Sequence, residues 1–229
     1  MIKVEIRGLD KTLAHIAGMQ KQVKFAAAVA LTRTARAVKD AMPDVMNREL
    51  DRPTPFTTRG LFVTPARKDK LQAVVGFMER QAAYLKYQIA GGTRTPTARG
   101  IKLPGNITLN SFGNIPKGLI DQMKKAAQDG SLSRSIVRRL GVGGRRKGAA
   151  PIELFYGKPA GRGWEKAPIG IWRRVPGSPG KLVPVIVFED TPARYKPRFR
   201  FAEAAEKVVR REWDRNFAVA FDEAMRSAR

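Results

Sequence analysis

The chain has 229 residues, 43% of them hydrophobic, which is enough to bury a real core and argues against wholesale disorder. Lys and Arg number 44 against 20 Asp and Glu, a formal charge of +24 that points to polyanions or acidic protein surfaces as partners. With no cysteine and the single histidine His15, the chain excludes disulfides, thiolate metal sites, cysteine nucleophiles and multi-histidine metal centres. The N-terminal MIKVEIRGLD lacks a continuous apolar h-region, and no apolar run nears the roughly 20 residues of a bilayer span. The expectation is a soluble, cytosolically made protein with no membrane partner.

Ile2 to Arg7 alternates apolar and charged residues, the pattern of a half-exposed strand. From Leu9, apolar positions three or four apart (Leu13, Ile16, Val23, Ala27, Leu31, Val38, Met42) predict a long amphipathic helix with Asp10 as N-cap. Pro43 either kinks that helix or starts a second segment. Arg52 to Thr57, with two prolines, reads as an extended exposed turn. Leu61–Val63 and Leu71–Phe77 read as strands joined by a charged tip at Arg67–Lys70, and Glu79–Ile89 as a short helix stopped by Gly91 and Gly92.

The Thr-, Pro- and Gly-rich stretch 93–114 reads as an arm or loop, followed by a helix over Ile115–Gln128 with Asn114 as its cap. Residues 130–150 hold five glycines and six Arg or Lys with no acid, and read as a flexible basic loop or a frayed helix running into one. Three apolar segments follow, around Ile152–Tyr156, Ile169–Val175 and Leu182–Phe188, as strands of an antiparallel sheet. Phe201–Met225 closes the chain with one apolar face, including Ala205, Val208, Trp213, Phe217 and Phe221. It is expected to dock on the sheet that contains Leu182–Phe188. The whole reads as a single α+β domain over 1–229: an antiparallel sheet packed against a long N-terminal and a long C-terminal helix, with extended loops or arms.

No constellation carries chemistry. Gly141–Gly148 invites a phosphate-loop reading, but a dinucleotide fingerprint needs glycine where Arg146 stands, and a P-loop needs Lys and Ser or Thr where Ala149 and Ala150 follow Gly148. A metal-dependent nuclease suits a basic protein, yet none of the 20 acidic residues has Lys two positions later, a spacing many such enzymes carry. Glu189-Asp190 reads as a solvated strand end, and Asp40 and Asp44 as surface partners of Lys39 and Arg36. A lone His15 without a placed partner is no catalytic argument. No enzyme activity, cofactor or metal is expected.

The charge excess sits in the middle of the chain: net +8 over 1–90, +13 over 91–189 and +3 over 190–229. Its densest part is Arg134, Arg138, Arg139, Arg145, Arg146 and Lys147, the candidate contact to DNA or an acidic partner, independent of base sequence. Arg194, Lys196, Arg198 and Arg200 alternate with Tyr195, Pro197, Phe199 and Phe201. A strand there puts rings in the core and cations outward. Phe56 and Phe112, one residue past the Arg52–Pro55 and 93–111 arm segments, are candidate anchors between subunits.

Four stretches, in chain order, resemble one family. They are Asp51-Arg52-Pro53-Thr54-Pro55-Phe56-Thr57 leading to Gly60-Leu61-Phe62-Val63; Ser111-Phe112-Gly113-Asn114-Ile115-Pro116-Lys117-Gly118; Gly170-Ile171-Trp172-Arg173-Arg174; and the ending Phe201 to Met225. The chain resembles tail-completion or neck proteins of tailed bacteriophages, and is similar to the lambda-type minor tail protein Z group. That resemblance implies a non-enzymatic virion component joining tail to head, in a homo-oligomeric ring with the tail's six-fold symmetry. Its implied neighbours are tail-terminator, tail-tube or head-connector proteins, with non-specific contact to genomic DNA. The competing reading is a sequence-independent nucleic-acid-binding protein.

Overall fold

The structure, a computed structural model, describes residues 3–6, 20–97, 100–141, 152–178 and 180–227. Its helices are α1 (Gln20–Glu49), α2 (Pro55–Thr58), α3 (Glu79–Ile89), α4 (Leu119–Asp129), α5 (Arg134–Arg139) and α6 (Phe201–Ser227). Its strands are β1 (Lys3–Ile6), β2 (Leu61–Thr64), β3 (Ala73–Phe77), β4 (Gly92–Arg94), β5 (Ile101–Pro104), β6 (Leu154–Gly157), β7 (Ile169–Arg174), β8 (Leu182–Glu189) and β9 (Ala193–Tyr195). The fold is mixed α and β, with antiparallel sheets and a long helix towards each end of the chain, as the hydrophobic periodicity predicts. Contacts divide it into two compact units, one made of Met1–Gly92 with Tyr195–Arg229, the other of Thr93–Arg194. The chain crosses from one to the other within β4 and β9, which pair as a two-stranded ribbon.

The first unit is a three-stranded sheet, β1-β3-β2, with helices α1 and α6. The register sets Leu61 opposite Phe77 and Val63 opposite Val75, so alternate positions of β2 and β3 share the face that meets α1. Leu31, Val38 and Met42 of α1 are fully buried there. Phe77, Phe199 and Phe201, each 1% exposed, form an aromatic trio with centroids 5.0–6.1 Å apart. Helix α1 runs through Pro43 without a break. The missing N–H removes one bond to the Lys39 carbonyl, a loss offset by the buried Met42, Val45 and Met46 around it. The expected N-cap Asp10 lies outside the described residues, as do Leu9, Leu13, His15 and Ile16.

Two sequence expectations are corrected here. Helix α6 buries Phe201, Ala205, Val208, Ala220 and Ala224, and its partner is α1; the strand Leu182–Glu189 belongs to the sheet of the other unit. The apolar stripe is the one the helical spacing predicts, but a stripe carries no address for the surface that covers it. Asp40 and Asp44 are exposed and hold no ion pair among the described residues.

The second unit is a four-stranded antiparallel sheet, β5-β8-β7-β6, with α4 and α5 on one face. Leu119, Met123 and Ala126 of α4 and Ile136 of α5 meet Leu154, Ile171 and Ile186 of the sheet. Helix α4 starts four residues later than expected, because Gly118 at φ +77° ends the preceding turn in a left-handed conformation. Between Ile171 and Trp172 the β7–β8 register shifts, and Val185 is taken into the core at 0% exposure. Pro184, which cannot donate to a ladder, sits beside that irregularity. On the far face, Trp172 donates its Nε1–H to the Gly157 carbonyl at 3.2 Å and takes the edge of Trp164 at 5.4 Å.

Phe201→Ala should destabilise the protein by about 3–5 kcal/mol, the range for emptying a buried aromatic site. Trp213 is only half-buried, stacked on Phe217 at 5.7 Å, so Trp213→Ala should cost less, about 1–3 kcal/mol. Urea unfolding followed by circular dichroism ranks the two; the reverse order would show that α6 is anchored through its middle.

Candidate interaction surfaces

The structure divides the six predicted contact cations. Ser133 caps α5 by accepting from the Ile136 N–H at 3.4 Å, and Ile136 and Leu140 hold the segment to the core of the second unit. With those positions turned inward, Arg134 and Arg138, four apart, share the exposed face. Arg139 is half-buried: its Nη1 donates to the Thr108 carbonyl at 3.1 Å, and its own carbonyl accepts from the Thr108 N–H at 2.7 Å. It anchors the chain more than it offers charge. Arg145, Arg146 and Lys147 lie outside the described residues. The first part of the 130–150 stretch is therefore a capped helix, the ordered form of the two readings the sequence allowed.

Charge compensation differs between the units. The first holds 25 Lys and Arg against 14 Asp and Glu, the second 19 against 6. In the first, ion pairs join Arg33 to Glu223 at 2.7 Å, Arg210 to Glu206 at 2.6 Å, Arg211 to Glu212 at 2.8 Å, and Arg200 to Glu49 at 3.4 Å. Among the described residues of the second, the one ion pair is Arg174 with Glu153 at 3.5 Å. Its acids are used in turns instead. The Thr191 hydroxyl, then its backbone N–H, hold the Glu189 carboxyl below the usual range, and Ser131 does the same for Asp129. Glu189-Asp190 is thus the solvated strand end the sequence suggested. The second unit is left with an uncompensated positive surface.

The two candidate anchors stand on fixed turns. Thr54 accepts from the Thr57 N–H at 3.3 Å with Pro55 in the first position of α2, so Arg52–Thr57 enters a helical turn where an extended segment was expected. Thr57 then shares a hydrogen bond with the Tyr84 hydroxyl at 2.9 Å. Phe56 projects from this turn, 54% exposed. In the other unit, Asn110 Oδ1 accepts from the N–H groups of Phe112 and Asn114 at 3.0 and 2.9 Å, presenting Phe112 at 36% exposure. The 93–114 arm is also partly sheet, since β5 pairs with β8. Both presumed arms fold onto their own units, which corrects the picture of free arms while leaving both rings presented to solvent.

In the 194–201 segment the expected strand stops at Tyr195. The alternation holds in part: Phe199 and Phe201 are buried, Tyr195 packs on Tyr87 at 5.5 Å, and Arg194, Lys196, Arg198 and Arg200 are exposed, but Pro197 is exposed as well. Sequence reasoning missed two concave surfaces. In the second unit, Lys124 of α4 sits 4.4 Å over the Tyr156 ring and 5.2 Å over Phe188, in a groove of ≈ 700 Å³ shared with Lys102, Asp121 and Asp190. In the first, α1 and the β2–β3 connection enclose a groove of ≈ 390 Å³. Neither has a sequence signal, because strand register and helix docking bring the lining residues together. No group of three or more His, Asp or Glu side chains gathers among the described residues. No protein-family model, curated protein or solved structure matches the chain.

Arg134→Ser with Arg138→Ser should leave the melting temperature within about a degree of the parent, since exposed charges contribute little to stability. Arg139→Ala should lower it measurably, because the Thr108 carbonyl loses its guanidinium partner. Differential scanning calorimetry distinguishes the two; equal effects would mean that the three arginines play one role.

Proposed function

We propose that the chain is a non-enzymatic structural protein of a tailed-phage virion, of the tail-completion or neck type. It assembles with copies of itself as a ring and seats against a tail-terminator, tail-tube or head-connector neighbour. The observation that carries this reading is the place of the four family-like stretches. Each supplies a turn or packing element of the fold, and none supplies a reactive group. Thr54 caps α2; the Phe112 and Asn114 N–H groups close the Asn110 turn. Gly170 lies where an added Cβ would come within 2.8 Å of the Ile186 carbonyl and 3.0 Å of Trp172 Nε1. Phe201–Met225 forms the α6 face that packs on α1. Residues spent on backbone geometry suit a building block that must repeat one shape in every subunit.

The uncompensated positive surface of the second unit supports contact with a polyanion or an acidic neighbour, and repetition around a ring multiplies its potential. The same surface favours the second reading, a sequence-independent nucleic-acid-binding protein. No described helix is long and apolar enough to cross a membrane.

Purified particles should contain the chain in ring stoichiometry by quantitative mass spectrometry, and particles made without it should accumulate as unjoined heads and tails. A chain absent from particles that binds DNA as a monomer in light scattering would replace this reading with the second. Serine at Arg145, Arg146 and Lys147 together should leave the melting temperature unchanged but lower the yield of joined, infectious particles. Normal infectivity in that variant would remove the cluster from the function.

A further inference from the structure

The groove of the first unit has the chemistry of a docking site. Its geometry begins with Thr32 of α1, whose hydroxyl donates to the Ala28 carbonyl at 2.8 Å and accepts from the Ala66 N–H at 3.1 Å. That pair of bonds ties the β2–β3 connection to the helix. Beyond Ala66, Arg67 and Lys70 exchange backbone hydrogen bonds at 3.0 and 3.1 Å, so the tip is a closed turn. The floor is apolar: Phe25, 37% exposed, with Val29 and Ala66. Phe25, Val29, Arg33 and Arg36 follow one another at helical spacing, on a face of α1 that borders the α6 seam: Val29 packs against the Ala26–Ala30 cluster and Arg33 reaches Glu223.

The rim is cationic on both walls. Arg33 and Arg36 stand on the helix side, Arg67 and Lys68 on the turn side, and among the described residues no carboxylate lines the groove. Lys68 Nζ lies 4.8 Å from the Phe25 ring centroid. Arg33 is engaged by Glu223 at 2.7 Å. Arg36, Arg67 and Lys68 hold no ion pair among the described residues. The larger groove of the second unit differs, since Asp121 and Asp190 stand beside its two lysines and leave no net sign to attract a partner.

We infer that this groove docks an acidic peptide segment of a partner protein, an apolar or aromatic side chain resting on Phe25 and Val29 while flanking Asp or Glu residues pair with Arg36, Arg67 and Lys68. Two features select that occupant. An apolar floor gains nothing from a phosphodiester backbone, but it supplies the dry centre of a protein interface, with charged residues at the rim. Cations on opposite walls match a linear segment with acids on both sides of its anchor, and planar guanidinium groups pair carboxylates in bidentate fashion. A second copy of this chain, at +24, is a poorer source of such a segment than an acidic neighbour. The inference goes beyond the virion reading and does not depend on it.

The test pans a random-peptide display library on the immobilised full chain and on two variants, Phe25→Ser and Arg36→Ser with Arg67→Ser. All the altered side chains are exposed, and a melting curve verifies folding. The parent should enrich peptides with an apolar residue flanked by Asp or Glu. By fluorescence anisotropy these peptides should bind each variant about tenfold or more weakly. Phe25→Ser keeps every positive charge, so undiminished binding to it would reduce the effect to general attraction and overturn the inference. Enrichment without acids, or equal binding to Arg36→Ser with Arg67→Ser, would overturn it as well. So would displacement of the peptides by oligo-dT that itself loses affinity for the arginine variant, which would assign the groove to nucleic acid.

Discussion

The first unit depends on the seam where α6 meets α1. Ala26 and Ala30 face Ala220 and Ala224 with at most 1% exposure at any of the four, so the two helices approach with no large side chain between them. That closeness allows the polar pairs along the seam. Thr34, fully buried, accepts from Asn216 Nδ2 at 3.1 Å, and Arg33 reaches Glu223 at 2.7 Å. Larger residues in the seam would separate these partners and leave the Thr34 hydroxyl buried without its bond, a cost of about 1–3 kcal/mol. Distant parts of the chain are thereby closed into one body, and the Phe77–Phe199–Phe201 trio fills the space beneath. The same docking turns the Phe25–Arg36 face of α1 outward and so creates the cationic groove.

The second unit is built on a different principle. Its sheet is irregular where β7 and β8 shift register, and that irregularity coincides with its best-buried residues, Ile171, Val185 and Ile186. A bulge there lets Val185 join the helix-covered face while Trp172 serves the other. The helices on that face spend few charges on each other, and the acids of this unit close turns. Its positive surface follows from that division of labour: a carboxylate used as a cap by Thr191 or Ser131 is not available to an arginine across the surface.

Across both units, cations occur in two settings. Some of those in the first unit pair with acids on the same helix, as Arg210 does with Glu206, or bridge α1 and α6, as Arg33 does with Glu223, and belong to the architecture. Among the described residues of the second unit only Arg174 is ion-paired, with Glu153, and at the rim of the α1 groove only Arg33 is, with Glu223.

Much of the secondary structure was legible in the chain. The apolar runs at 61–63 and 71–77 and the helical spacing of 79–89 and 201–225 are local patterns, and local patterns survive folding because each reflects which face of one element meets water. Composition fixed the net positive charge and excluded thiolate and multi-histidine chemistry. What the sequence could not supply was the pairing of faces. The apolar stripe of α6 is equally compatible with a sheet or a helix, and only the alanine seam selects α1. Arg52–Thr57 and the 93–114 stretch looked like free arms because their prolines and glycines signal a departure from regular structure; caps by Thr54 and Asn110 and the β5–β8 ladder then fold them down. The division into two units is invisible for a related reason, since one unit is assembled from both ends of the chain. The α1 groove likewise needs residues 25–36 and 66–68 together, and the Thr32–Ala66 hydrogen bond that joins them forms only once the helix and the hairpin have docked.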